Sequence, residues 1–174
     1  MHACPNNVFR NGPDFAASTI WTFQQDGYPC YRVPNVINTG VALLAFAEAR
    51  NWTGDGCIPP NFPNMPDGHR DLVMKVSRDR GRTWGPQQLM YEGGLNSAAV
   101  FDAVRQRAIV HLIGADGVTQ LNCSADGAEC EIASVAHFLG KYNHTSPGPG
   151  LGVQVRSDAL CRSVPFAPPM RDAT

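Results

Sequence analysis

The chain is built from short apolar runs set close together, and that pattern restricts it to a few folds. Seven runs read as strands: Cys30–Asn38, Val41–Ala49, Asp71–Ser77, Gln87–Tyr91, Ala98–Val104, Ala108–Ile113 and Val118–Asn122. Between them lie Gly, Asp, Asn and Arg-Gly clusters, the residues that close tight turns. With 17 glycines and 14 prolines in 174 residues, many short strands joined by turns are favoured over long helices. The spacing predicts a meander of antiparallel hairpins. Ile132–Leu139 is the one stretch with the pattern of a short helical turn. Hydrophobic residues make up 43% of the chain, enough for a real core.

Several function classes are excluded at this level. The 14 basic and 15 acidic residues are spread along the chain, so no basic stripe exists to hold a nucleic-acid backbone. No apolar run approaches the roughly 20 residues of a membrane-spanning helix. The six cysteines (Cys4, Cys30, Cys57, Cys123, Cys130 and Cys161) form no CxxC pair and no metal-ligand spacing with the five histidines. No metal or organic cofactor is implied. The first residues, Met1 to Asn7, show no charged-then-apolar leader pattern. Three N-x-S/T sequons, at Asn51, Asn122 and Asn143, together with an even cysteine count, point to an oxidising compartment, secreted or lysosome-like.

Two stretches interrupt the strand rhythm after an irregular polar lead-in over residues 1–20. Asn51–His69 is a long Gly/Pro/Asn-rich loop between two good strands, a length usually found where a loop is functional or disordered. From Ser157 onward the tail shows no strand period and no turn logic. The expected layout is therefore a lead-in, a β-rich body over residues 21–156, and an off-pattern tail over 157–174.

The clearest local motif is Ser77-Arg78-Asp79-Arg80-Gly81-Arg82-Thr83-Trp84. It reads as a self-capped hairpin turn. Asp79 accepts backbone N–H bonds, Gly81 supplies positive φ, Ser77 and Thr83 offer hydroxyls to the backbone, and Trp84 buries its ring at the base. The string resembles the Asp-box, which recurs in several kinds of β-propeller and is not itself catalytic. Aligned on glycine, Cys123-Ser124-Ala125-Asp126-Gly127-Ala128-Glu129-Cys130 looks like a worn copy that keeps Gly127 and loses the Ser, Asp, Thr and Trp. Its cysteines stand at the two positions that flank the hairpin, so a Cys123–Cys130 bridge could replace the lost capping, two free buried thiols being the alternative.

Upstream, Tyr31-Arg32-Val33-Pro34 resembles the Y/F-R-I-P motif of sialidases, and Leu43-Leu44-Ala45-Phe46-Ala47-Glu48-Ala49-Arg50 resembles their second strand. Asn96-Ser97-Ala98-Ala99-Val100-Phe101-Asp102 is similar to the family's N-P-x-x-V/L-x-D strand, with Ser97 in place of proline. Pro147-Gly148-Pro149-Gly150-Leu151-Gly152-Val153-Gln154 is similar to its G-P-G-x-G-I-Q segment. The resemblance spans Tyr31 to Val155. It implies that Arg32 grips the carboxylate of a sialic acid, a task for which a planar guanidinium is well matched. It implies that Arg50, 18 positions on, reaches the sugar's 4-position, and that Asn96 faces the pocket while Asp102 caps a turn. Asp55, five residues after Arg50, would be the general acid/base. With Cys30 two residues before Arg32 and Cys57 two after Asp55, the resemblance makes these cysteines the next expected pair, stapling the acid-bearing loop beside the Arg32 strand. Asp67 and Asp71 compete for that role, and Asp71 is read as structural.

The resemblance thus implies an all-β, sialidase-type six-bladed β-propeller, of which 174 residues make about two to three blades. It implies an exo-alpha-sialidase, a retaining hydrolase of terminal sialic acid on sialylated glycoconjugates. The family's tyrosine nucleophile, glutamate base and two further carboxylate-binding arginines have no counterpart in this sequence, so the chain alone is expected to be inactive. Two explanations stand side by side: an incomplete gene model of an enzyme, or a genuine short form acting as a non-catalytic glycan-binding or interaction module.

Overall fold

The computed structural model describes residues 17–52, 57, 66, 68–115, 117–137, 150–156 and 159–161. It is all-β, with no helix among the described residues. Sheet A is an antiparallel meander in the order β1 (Cys30–Asn38), β2 (Leu43–Asn51), β3 (His69–Ser77) and β4 (Gln88–Glu92). Sheet B repeats the arrangement with β5 (Leu95–Asp102), β6 (Arg107–Ile113), β7 (Gly117–Ser124) and β8 (Cys130–His137). A two-residue strand, β9 (Gly150–Leu151), adds in parallel to β5. A small hairpin joins β10 (Val153–Arg156) to β11 (Ala159–Cys161).

All seven predicted strands are present, with ends shifted by a few residues. Two readings are corrected. Ile132 to His137 forms strand rather than a helical turn, because β7 supplies an antiparallel ladder, bulged once at Ala133, that outweighs a brief local pattern. The tail is not devoid of strand, since Val153 pairs with Cys161 across the expected boundary at residue 157. Residues 162–174 lie outside the described residues.

The central strands of sheet A, β2 and β3, are buried on both faces, which is why β2 reads as a nearly unbroken apolar run. One face carries Ile37, Leu44, Phe46, Leu72, Met74 and Val76. It packs on Ala99, Ala108, Val110, Leu112 and Leu121 of sheet B to form the main core. The other face carries small residues, Ala47 and Ala49 beside Val73, and is covered by Trp21, Tyr28 and Tyr31. The segment after the lead-in is therefore structural. Lys75 holds it by donating to the Ile20 carbonyl (3.0 Å) and to Asp26 (2.6 Å).

The turn after β3 closes as expected, with a richer bond pattern. Ser77 Oγ donates to Asp79 Oδ1 (2.8 Å) and accepts from the Gly81 amide (2.8 Å). Asp79 accepts from the Thr83 amide (2.9 Å) and from its hydroxyl (2.6 Å). The Thr83 hydroxyl thus serves the carboxylate rather than the backbone. Gly81 has φ +84°, and Trp84 is half-buried.

The second turn corrects the reading that its Ser and Asp were lost. Ser124 Oγ donates to Asp126 Oδ1 (2.7 Å), repeating the Ser77–Asp79 pair. One residue is missing between the Asp and the Gly, so aligning on glycine displaced the match by one place. The Cys123–Cys130 bridge is present, with Cα atoms 4.1 Å apart, and closes the base of this hairpin. Both turns lie at one end of the sheets, where Arg78 of the first reaches Asp126 of the second (3.5 Å).

The Thr83 hydroxyl above all, then the Thr83 amide and Ser77, pull the Asp79 carboxyl from 3.8 down to about 2. A carboxyl whose pKa is lowered on folding stabilises the fold above its unfolded value and loses that contribution as pH falls towards its folded value. An NMR titration should place Asp79 near 2, and Asp79→Asn should flatten the fall in stability between about pH 4 and pH 2.

Gly127 has φ +70°, and a Cβ there would come within 2.8 Å of Leu44 Cδ2 and 2.9 Å of Val76 Cγ2. Leu44 is fully buried, so it has little room to give way. Gly127→Ala should lower the urea-unfolding stability by about 2 kcal/mol, combining left-handed strain with overpacking.

Candidate functional site

The β1–β2 register sets Arg32 opposite Glu48 and Cys30 opposite Arg50. Side chains alternate across a strand, so these four share the face of sheet A that turns towards sheet B. A bulge follows Arg32, where three steps on β1 cover two on β2. Pro34, which has no N–H for the ladder, sits inside it, and Val33 adopts φ +52°. The extra residue reverses the parity of the strand. Arg32 before the bulge and Asn35 and Ile37 after it consequently point to the same side.

Glu48 is the residue that sequence reasoning missed. It is 1% exposed and stands opposite Arg32, in contact with Arg50 and the Asn96 backbone. Arg50 Nε donates to Glu48 Oε2 at 2.7 Å, and Arg50 Nη2 donates to the same oxygen. The other carboxylate oxygen, Oε1, accepts from the backbone amide of Asn96, which adopts φ +46°. A polar residue inside an apolar run was the available signal, because a buried carboxylate must find donors.

Arg50 is 5% exposed, and its guanidinium also lies 5.1 Å from the Trp52 ring centroid, with Arg70 at 5.2 Å from the same ring. Arg32 is half-buried and lines a cleft of about 270 Å³ with Trp21, Tyr31 and Pro34. The Trp21 and Tyr31 rings stack with centroids 5.8 Å apart. Burial, then the Asp26 charge, pushes the Tyr31 phenol up.

Asp55 lies outside the described residues, as do Asp67 and the third sequon, Asn143. The structure does locate the chain beside Asp55. Cys57, two residues after it, is bonded to Cys30, two residues before Arg32, with Cα atoms 5.6 Å apart. The far end of the loop is closed by Asn51, whose side chain donates to the Pro66 carbonyl (3.1 Å) and whose own carbonyl accepts from Gly68 N (2.8 Å).

Asp71 has the structural place expected of it. It pairs with Ala49, which puts its side chain on the opposite face from Arg32 and Arg50. There it accepts from the Tyr28 hydroxyl and the Gly93 amide (2.9 Å), and meets His69 Nε2 at 2.7 Å. Burial, then the bond to Asp71, raises the Tyr28 pKa. Asp102 caps its turn, accepting from the amides of Val104 and Arg105 at 3.0 Å each. The Arg105 amide is the main influence holding its carboxyl below the usual range. Ser97 Oγ accepts from the buried Asn35 side-chain amide at 2.8 Å and so ties β1 to β5.

No protein-family model matches the chain, and no curated protein matches it. Among the described residues there is no cluster of His, Cys, Asp or Glu able to hold a metal ion, and no helix is long and apolar enough to cross a membrane. The two disulfides suit an oxidising compartment.

Removing one member of a buried ion pair leaves the other charge stranded. Glu48→Gln should therefore cost about 3 kcal/mol in urea unfolding. It should also alter the amide shifts of Asn96 and its neighbours, because Oε1 no longer carries the charge that Asn96 meets.

Proposed function

We propose that the chain is the front portion of a sialidase-type β-propeller and that the Arg32 end of sheet A recognises the carboxylate of a terminal sialic acid. One observation carries the reading. The register brings Arg32 and Arg50 to one face, and the Cys30–Cys57 bridge ties the loop bearing Asp55 to the same end of the same strand. Arg32 and Arg50, separated in sequence and singled out by their resemblance to one family, thus share a face, and the chain two residues beyond Asp55 is tied to the same strand. The two meander sheets packed face to face are what successive propeller blades require.

The chemistry assigned to each group follows from its type. Arg32 offers a planar fork to the carboxylate. Arg50, fixed by Glu48, is a positioned charge rather than a mobile one. Asp55 is the proton donor to the departing glycosidic oxygen. The compartment is secretory or lysosome-like.

Binding without turnover is the second reading. The residues present are those that bind and protonate, whereas the nucleophilic tyrosine and its glutamate base have no counterpart in the sequence.

Saturation-transfer NMR with N-acetylneuraminic acid tests the shared core of both readings. Binding should be detectable and should weaken at least about tenfold in Arg32→Ala, the usual loss when a charge-assisted hydrogen bond is removed. Asp55→Asn should leave binding in place. If any cleavage is measured, Asp55→Asn should abolish it on a natural sialoside and spare it in part on an aryl sialoside, whose phenol departs without acid help. Equal binding by the wild type and Arg32→Ala would overturn the assignment.

A further inference from the structure

At the opposite end of the sheets from Arg32 lies a second polar cleft, of about 450 Å³, lined by Arg107, Asn122, Glu129, Glu131 and the Cys123–Cys130 bridge. The register explains the grouping. Arg107 stands opposite Ser124, and Asn122 stands opposite both Ile109 and Glu131. Arg107, Asn122 and Glu131 therefore share the face of sheet B that turns away from sheet A. Arg107 Nε is buried and has no hydrogen-bond partner among the described residues. Its cross-strand neighbour Asp102 is already committed to the Val104 and Arg105 amides and to the Arg105 guanidinium (3.1 Å). A buried donor left in this state favours an occupant with acceptor oxygens.

The cleft supplies donors and acceptors side by side. Arg107 only donates, while the carboxylates of Glu129 and Glu131, both exposed, only accept. An anion would meet two carboxylates and be repelled. Hydroxyl and acetamido groups, which donate and accept at once, satisfy both sides. Asn122 opens the sequon Asn122-Cys123-Ser124. Its Oδ1 accepts from Gln120 Nε2 at 3.0 Å, which fixes the amide while leaving Nδ2 as the group to be modified. Asn51 contrasts with it, being 0% exposed and donating from its side-chain nitrogen to Pro66.

We infer that Asn122 is an N-glycosylation site and that the first sugar of its glycan nests in this cleft against Arg107. In the transfer, Asn122 Nδ2 bonds to the anomeric carbon of a lipid-diphosphate-linked oligosaccharide. The anomeric C–O bond breaks, the lipid diphosphate leaves with the electron pair, and the amide gives up one proton. The N-acetylhexosamine then places its acetamido carbonyl and hydroxyls within the Arg107–Glu131 cleft. This inference does not depend on sialic acid recognition, and its test reads no sialic acid binding or activity.

The full chain should be directed through the secretory pathway of eukaryotic cells and the folded product mapped after enzymatic deglycosylation, which converts a glycosylated Asn to Asp. Asn122 is expected to be converted and Asn51 to remain Asn. A double-mutant cycle of Asn122→Gln and Arg107→Ala, read as Tm, then tests the nest. In glycosylated protein the two changes should be non-additive by roughly 2–4 °C. In the same proteins made in a bacterial periplasm, without glycan, they should be additive. If Arg107→Ala does not fold, the exposed Glu131→Gln replaces it in the cycle. An unmodified Asn122 in the secreted protein overturns the site, and additivity in the glycosylated set overturns the nest.

Discussion

The buried carboxylate of Glu48 is the interaction on which the geometry of the Arg32 end depends. Sheet A has no water-facing side at this position, so the charge must be matched from within. Arg50 matches it along the strand and the Asn96 amide matches it from sheet B. One side chain thereby fixes the direction of a guanidinium and the distance between two sheets. The positive φ of Asn96 becomes intelligible in that light, since the chain turns its N–H towards an anion that cannot be left alone.

The same sheets are held at the other end by a different device. There the two hairpin turns are packed together, Gly127 against Leu44 and Val76, Thr39 Oγ1 donating to the Ala125 carbonyl (2.6 Å). The first turn is capped by the Ser77 and Thr83 hydroxyls and the Asp79 carboxylate. In the second, the Ser–Asp pair survives in shortened form and a disulfide closes what Thr and Trp close in the first. Two chemistries thus solve one problem, the orphaned amides of a tight turn.

The strands and the Cys123–Cys130 bridge were legible in the sequence because they rest on local signals, namely apolar runs, turn residues and cysteines flanking a turn, whereas the Cys30–Cys57 pair, 27 residues apart, was expected only from the resemblance. The misreadings share a cause. Residues 132–137 follow no strong period of their own, and only the ladder with β7 decides them. Ser124 and Asp126 were hidden by a one-residue shortening, which a comparison anchored on one glycine cannot see. Glu48 was overlooked because sequence shows that a carboxylate sits in an apolar run, while its partners come from register and from a second sheet. Arg32 and Arg50 were singled out by a family resemblance, and their common face follows only from the β1–β2 pairing.

The loop after β2 is anchored twice, at Cys57 by the bridge to Cys30 and at Pro66 by Asn51. These anchors divide it into two parts with separate fates. Residues gained or lost between Cys57 and Pro66 leave both anchor points, and the stretch from Asn51 to Cys57, as they were. The short stretch between Asn51 and Cys57 is thereby insulated from length variation between Cys57 and Pro66, which can lengthen or shorten without moving either anchor.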